Sequence, residues 1–211
     1  YLKHDETYKV IVYTNTKSSA EGHLLTLAKK TMATHSVTGD AIPLTGDSGL
    51  MMKNWLVSLF SGAVQSPFSN LQVLLATAAA NCGISSIHSL LAVCYGFPPT
   101  LIDIRPEMGR VCRGVRGPGN LPDRYHLYLN CNLFLSLLLR IKQEPSVNKR
   151  SIQLKELFKV LRFLLLPIQC YHVTLEEYFE DPSIFFNRQP CETKCSFCLG
   201  AIADATTTFR R

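Results

Sequence analysis

From residue 8 to residue 129, short apolar runs rich in β-branched residues alternate with stretches of helical spacing. That alternation constrains the fold more than any other feature of the chain. Residues 8–14 (YKVIVYT) read as a buried strand. Leu24, Leu27, Ala28 and Met32 then recur at the spacing of one helix face. Residues 41–44 form a second short strand candidate ending at Thr45–Gly46, and residues 51–60 an amphipathic helix with Trp55, Leu56, Leu59 and Phe60 apolar. A polar loop over 62–70 leads to residues 71–77 (LQVLLAT), the strongest strand signal, and residues 90–95 (LLAVCY) give another. Pro98–Pro99 stops that run, a short helix is expected over 101–112, and the Gly/Pro-rich stretch 113–122 must be a loop. Residues 124–129 (RYHLYL) alternate as a strand does. Strands regularly separated by helices predict a parallel sheet covered on both faces.

Beyond residue 130 the pattern changes. Residues 133–141 and 152–166 are leucine-rich and helical in period, residues 143–150 (QEPSVNKR) read as a polar linker, and no further strand is expected. The expected division is an α/β domain over 1–142 followed by a small helical, metal-binding subdomain over 143–211. The Leu-rich surface over 157–166 reads as core.

Hydrophobic residues make up 46% and charged residues 18% of the 211, enough apolar material for a real core and too much for a disordered chain. No apolar run reaches the ~18 residues that a membrane-spanning helix needs, so no membrane partner is expected. The first residues lack the charged, apolar and cleavage-site order of a secretory leader. Opening at Tyr1 without Met, the chain is expected to be part of a longer protein. The net charge of +6 permits a polyanionic partner without demanding one.

The eight cysteines are unevenly spread. Cys82, Cys94, Cys112 and Cys131 are scattered, whereas Cys191, Cys195 and Cys198 crowd into eight residues. With Cys170 they make a four-thiol set, and such clustering without a secretion signal points to metal and not to disulfides. Zinc takes four soft ligands in a tetrahedron, and two cysteines separated by two residues can turn both sulfurs onto one ion. A closed set of Cys170, Cys191, Cys195 and Cys198 implies a structural zinc. His172, two residues after Cys170, is a weaker ligand candidate.

From Cys170 onward the chain reads CYHVTLEEYFEDPSIFFNRQPCETKCSFC. A cysteine opens a helix, the helix ends in Tyr178–Phe179, and a close group of three cysteines follows. This resembles the zinc-binding segment of RecQ-type DNA helicases. Upstream, residues 10–18 (VIVYTNTKS) resemble the first motif of that family's second lobe, and residues 75–85 (LATAAANCGIS) the motif running from Ala-Thr to Gly-Ile. Residues 106–114 (PEMGRVCRG) resemble the motif Gln-x-x-Gly-Arg-x-x-Arg that ends the lobe. The resemblance covers roughly residues 8–200. Several positions depart from it: Thr45–Gly46 lacks the family's histidine, Pro106 stands for glutamine, Cys112 for glycine, Asn81–Cys82 for Gly-Met, and Ser85 for an acidic or amide residue. No GxxxxGK[ST] phosphate loop and no Asp-Glu-x-His box, which belong to the family's first lobe, occur in the chain.

The resemblance implies a RecA-like lobe that shares ATP and its Mg²⁺ with a first lobe and tracks single-stranded or forked DNA, in a 3′-to-5′ unwinding enzyme of DNA repair and recombination. Localisation would be nuclear in a eukaryote and cytoplasmic otherwise. Arg113 is expected as the arginine finger, with Arg110 as its partner on one helix face and Gly83 with them at the nucleotide. Thr77, Asn81, Asn15 and Lys17 are expected to meet the DNA backbone, although Thr77 equally suits a helix N-cap. Alone, the chain is expected not to hydrolyse ATP. Two alternatives stay open: a degenerate lobe kept as a DNA-binding or protein-interaction module, and a standalone zinc-dependent interaction domain.

Overall fold

The computed structural model describes residues 8–64, 70–77, 84, 89–110, 124–179 and 195–198. The run KVIVYT forms β1 (Lys9–Thr14), whose alternate side chains serve two different cores. Ile11 and Tyr13 enter one apolar cluster, Val10 and Val12 the other. A strand buried on both faces is apolar at nearly every position, which is why this segment reads as a continuous run and not as an alternating one.

Helices α1 (Lys17–Glu21) and α2 (His23–Thr34) follow. Ala20, Leu24 and Met32 cover the Val10 face together with Ala41, Val73 and Leu75. The chain then forms β2 (Asp40–Leu44), α3 (Leu50–Ser61) and β3 (Leu71–Ala76). Leu56, Leu59 and Phe60 of α3 cover the Ile11 face. Gly62 closes α3 in the left-handed region at φ 80°, where its N–H bonds the carbonyls of Leu59 and Ser58 and a β-carbon would be strained. Next come β4 (Ser89–Gly96), α4 (Leu101–Met108) and β5 (Arg124–Leu129).

The five strands lie in the order β2-β3-β1-β4-β5, and every pairing is parallel. Pro43 falls in β2, an edge strand, where a residue without an N–H is tolerated. This is the α/β class expected from the sequence: a parallel sheet, helices on both faces.

Helices α5 (Cys131–Lys142), α6 (Val147–Leu165) and α7 (Tyr171–Phe179) complete the described elements. The residues fall into two compact units, one within Tyr1–Pro98 and Ile102–Arg140, the other within Pro99–Leu101 and Ile141–Arg211. In the second unit α6 buries Leu157, Val160 and Phe163 along one stripe, and Phe163 meets Tyr171 of α7 edge-on with ring centroids 4.9 Å apart. The Tyr178 hydroxyl donates to Glu156 at 2.7 Å, joining α7 to α6.

Two expectations need correction. Residues 143–150 are not all linker, because α6 begins at Val147: the Ser146 hydroxyl accepts from the Lys149 N–H and caps the helix. The helix expected over 101–112 ends at Met108, so Arg110 lies in the following turn and not on the helix. Pro106 inside α4 has no N–H for the carbonyl four residues back, which weakens this helix near its end. Of the described residues, no helix is long and apolar enough to cross a membrane.

Candidate functional site

Three neighbouring strands end level with one another. Leu44 pairs with Ala76 and Ala76 with Tyr13, so Thr45, Thr77 and Thr14 emerge side by side at the carboxyl edge of β2, β3 and β1. Parallel α/β sheets take their ligands at this edge. Asn15 comes one residue further along β1. Both ends of its amide are engaged: Nδ2 donates to the Phe97 carbonyl at 2.8 Å, and the Phe97 N–H donates to Oδ1 at 2.7 Å. A β-carbon at Gly96 would overlap the Asn15 side chain, so the close approach of these two strand ends requires glycine there.

Thr16 caps α1 by accepting from the Ser19 N–H at 3.2 Å. Lys17, exposed at the start of α1, reaches Asp47 at 2.5 Å and Glu21 at 3.9 Å. The bond to Asp47 raises the lysine pKa and lowers that of Asp47. The turn after β2 is tied down further by Thr45 Oγ1 donating to Glu21 and by Lys53 Nζ donating to the Gly46 carbonyl. Thr77 is partly buried, and its N–H donates to the Leu44 carbonyl at 3.1 Å.

A second group lies where α4 meets the sheet. Arg110 Nη1 donates to the Ile84 carbonyl at 2.7 Å, and the Arg110 N–H bonds the Glu107 carbonyl at 3.2 Å. Glu107 is only 6% exposed and accepts from the Tyr125 hydroxyl of β5 at 2.8 Å. Burial pushes its carboxyl up to about 7, Asp103 adds to the rise, and hydrogen bonds from Tyr125 and the Cys94 thiol act against it. Burial also raises the Cys94 thiol, the Tyr125 hydroxyl and the Tyr13 hydroxyl beside them. The sequence reading missed this cluster. Its one local signal is a glutamate in a short helix otherwise anchored by Leu101 and Ile104, both buried.

In the second unit Cys170, Cys195 and Cys198 bring their sulfurs within 4.8 Å of one another, and Cys170 and Cys195 stand 3.8 Å apart. That is far beyond a disulfide bond, about 2.05 Å. It matches the edge of a tetrahedron with Zn–S bonds of about 2.3 Å, which is about 3.8 Å. Cys170 sits just ahead of α7, with its carbonyl taken by the Thr174 N–H and hydroxyl. The donor set therefore suits a soft metal ion.

No protein-family model matches the chain. No curated protein matches it either. Solved structures do. The helicase domain of Hef from Pyrococcus furiosus is 22% identical, at a TM-score of 0.41 over 61% of this chain and 23% of that one. Domain 2 of the DEAD-box helicase Mss116p, bound to an RNA duplex, is 15% identical, at a TM-score of 0.47 over 83% and 66%. The helicase Lhr from Mycobacterium smegmatis, bound to ssDNA and AMP-PNP, is 16% identical, at a TM-score of 0.46 over 67% and 18%. The chain thus spans less than two thirds of each of these structures.

Of the residues singled out in the sequence, Asn15, Thr77 and Lys17 gather at the carboxyl edge of the sheet, Arg110 at the end of α4, and Cys170, Cys195 and Cys198 around one point. Arg113, Gly83, Asn81 and Cys191 lie outside the described residues.

Proposed function

We propose that this chain is the second RecA-like lobe of a RecQ-type, ATP-dependent 3′-to-5′ DNA helicase, joined to a helical zinc-binding subdomain. The observation that carries this reading is the carboxyl edge of the parallel sheet. There Thr45, Thr77 and Asn15 follow the last residues of β2, β3 and β1, with Lys17 two residues beyond Asn15. The half-buried Thr77 and the exposed Lys17 suit contact with a sugar-phosphate backbone and carry no sequence readout, whereas Thr45 is buried with its hydroxyl bonded to Glu21 and only shapes the edge. In this reading Thr77, Lys17 and Asn81 face DNA. Asn15 contributes by fixing the edge, since its own amide is bonded to Phe97.

Arg110 and Arg113, with Gly83, would face ATP and its Mg²⁺ across a cleft completed by a first lobe. A guanidinium forks two donors onto phosphate oxygens and neutralises charge that develops in the transition state. Cys191 would complete a four-thiolate zinc site with Cys170, Cys195 and Cys198.

The test is ATP hydrolysis, with and without single-stranded DNA, by the protein that contains this chain together with its first lobe. DNA-dependent turnover supports the motor reading.

A second reading is a lobe retained as a DNA-binding or protein-interaction module without motor activity. Two observations favour it: Arg110 is turned onto the Ile84 carbonyl, and Pro106 interrupts α4 where the resembling family has glutamine. Absent turnover with DNA binding intact would select it.

A further inference from the structure

The proposed function gives Glu107 no role, yet it is the most deeply buried acidic residue among those described, at 6% exposure. Its neighbours come from four elements. Tyr125 of β5 donates to it at 2.8 Å, the Cys94 thiol of β4 lies beside it, Tyr13 of β1 feels its charge, and Asp103 and Arg110 flank it along α4 and the turn that follows. The link to Arg110 is covalent and short. Only Met108 and Gly109 separate them, and the Arg110 N–H bonds the Glu107 carbonyl at 3.2 Å. Any shift of the backbone at Glu107 is passed to the arginine.

We infer that Glu107 is a positioning residue. Its carboxyl, held by the Tyr125 hydroxyl, seats the last turn of α4 on β4 and β5 and so fixes where Arg110 is presented, and the seat loosens as the carboxyl ionises. That Arg110 meets a nucleotide rests on the function proposed above; the seat itself does not. A neutral carboxyl can accept from Tyr125 with one oxygen and offer its own proton with the other. An ionised one accepts more strongly from Tyr125 and Cys94 but keeps its charge buried near Asp103, and the burial cost, the larger effect, is relieved by moving toward water. Pro106, which removes one helical hydrogen bond just ahead of Glu107, leaves this turn more dependent on the side-chain tie.

The test is hydrogen exchange of the Met108, Gly109 and Arg110 amides in the whole chain between pH 6 and pH 8, corrected for intrinsic rates. An ionisation near pH 7 in the seated state, set against an ordinary one in the opened state, predicts that protection falls by about tenfold across this interval. In Glu107→Gln it is expected to stay flat. Unchanged protection in the wild-type chain, or the same fall in Glu107→Gln, overturns the inference.

If that variant does not fold, the wild-type carboxyl is followed directly by carbon NMR. A midpoint near neutrality, shared by the amide signals of residues 108–110, supports the seat. A midpoint in the usual carboxylate range overturns it. Failure of the helicase reading would appear as absent ATP turnover and would leave these exchange rates untouched.

Discussion

Asn15 and Phe97 lock the carboxyl ends of two adjacent parallel strands with a reciprocal pair of hydrogen bonds, 2.8 Å from Nδ2 to the Phe97 carbonyl and 2.7 Å from the Phe97 N–H to Oδ1. One side chain thereby satisfies a donor and an acceptor at the point where β4 leaves the sheet. Asn15→Ala strands both backbone groups, at about 1–3 kcal/mol each where water cannot replace the amide. The expected loss in urea unfolding is therefore about 2 kcal/mol or more. Gly96→Ala should cost a similar amount, because its methyl group displaces the same amide. Losses below about 0.5 kcal/mol, the range of ordinary surface substitutions, would show that the pair does not lock the strand ends.

Stability should fall as pH rises through neutrality, and Glu107 should be responsible. The folded carboxyl ionises near pH 7 against an ordinary value of 4.5. A folded value raised in this way makes the neutral form the stabilising one. Its contribution is complete below the unfolded value and is lost as pH passes through the folded value. At about 1.4 kcal/mol per pKa unit, the loss is about 3 kcal/mol between pH 4.5 and pH 8. Urea unfolding of wild type and Glu107→Gln at several pH values isolates this share. The difference between the two curves should shift toward the variant as pH rises.

The cysteine group predicts about one zinc ion per chain by metal analysis. Cys195→Ser should lower that content and reduce exchange protection in α6 and α7, because ligation and local folding are linked. Chelation of the wild-type protein should have the same effect. The first unit, whose core is built from the sheet and its helices, should stay protected. Well-folded protein without zinc would contradict the assignment.

The two arginines should separate. Arg110→Ala removes a 2.7 Å bond to the Ile84 carbonyl, so it should lower stability by about 1–2 kcal/mol as well as turnover. If the proposed helicase reading holds, Arg113→Ala in a protein that carries a first lobe should cut ATP hydrolysis by about 10³ or more while largely sparing folding. Normal turnover in Arg113→Ala would remove it as the finger.

Much of the architecture was legible because the signals are local. Residues 8–14 and 71–77 are apolar at nearly every position, and only a strand buried on both faces needs that composition. The strand over 124–129 was read from its alternation and is observed as Arg124–Leu129. The close cysteines needed only their spacing. By contrast, residues 147–150 looked like linker because they are polar. Their helix is set by one hydroxyl, Ser146, and by apolar contacts that begin a turn later at Leu154 and Leu157. The cluster of Glu107, Tyr125 and Cys94 was not legible at all: its members come from a helix and two strands, and only the strand order brings them together. Asn15 and Phe97 are 82 residues apart, and nothing near either residue announces the other.

Hydrolysis of ATP by the longer protein expected to carry a first lobe beside this chain, measured with and without single-stranded DNA, tests the proposed motor role most directly. Turnover that rises with DNA and collapses in Arg113→Ala is the predicted result. No turnover under any DNA condition, from folded and zinc-loaded protein, would contradict a motor role and leave the lobe as a binding module.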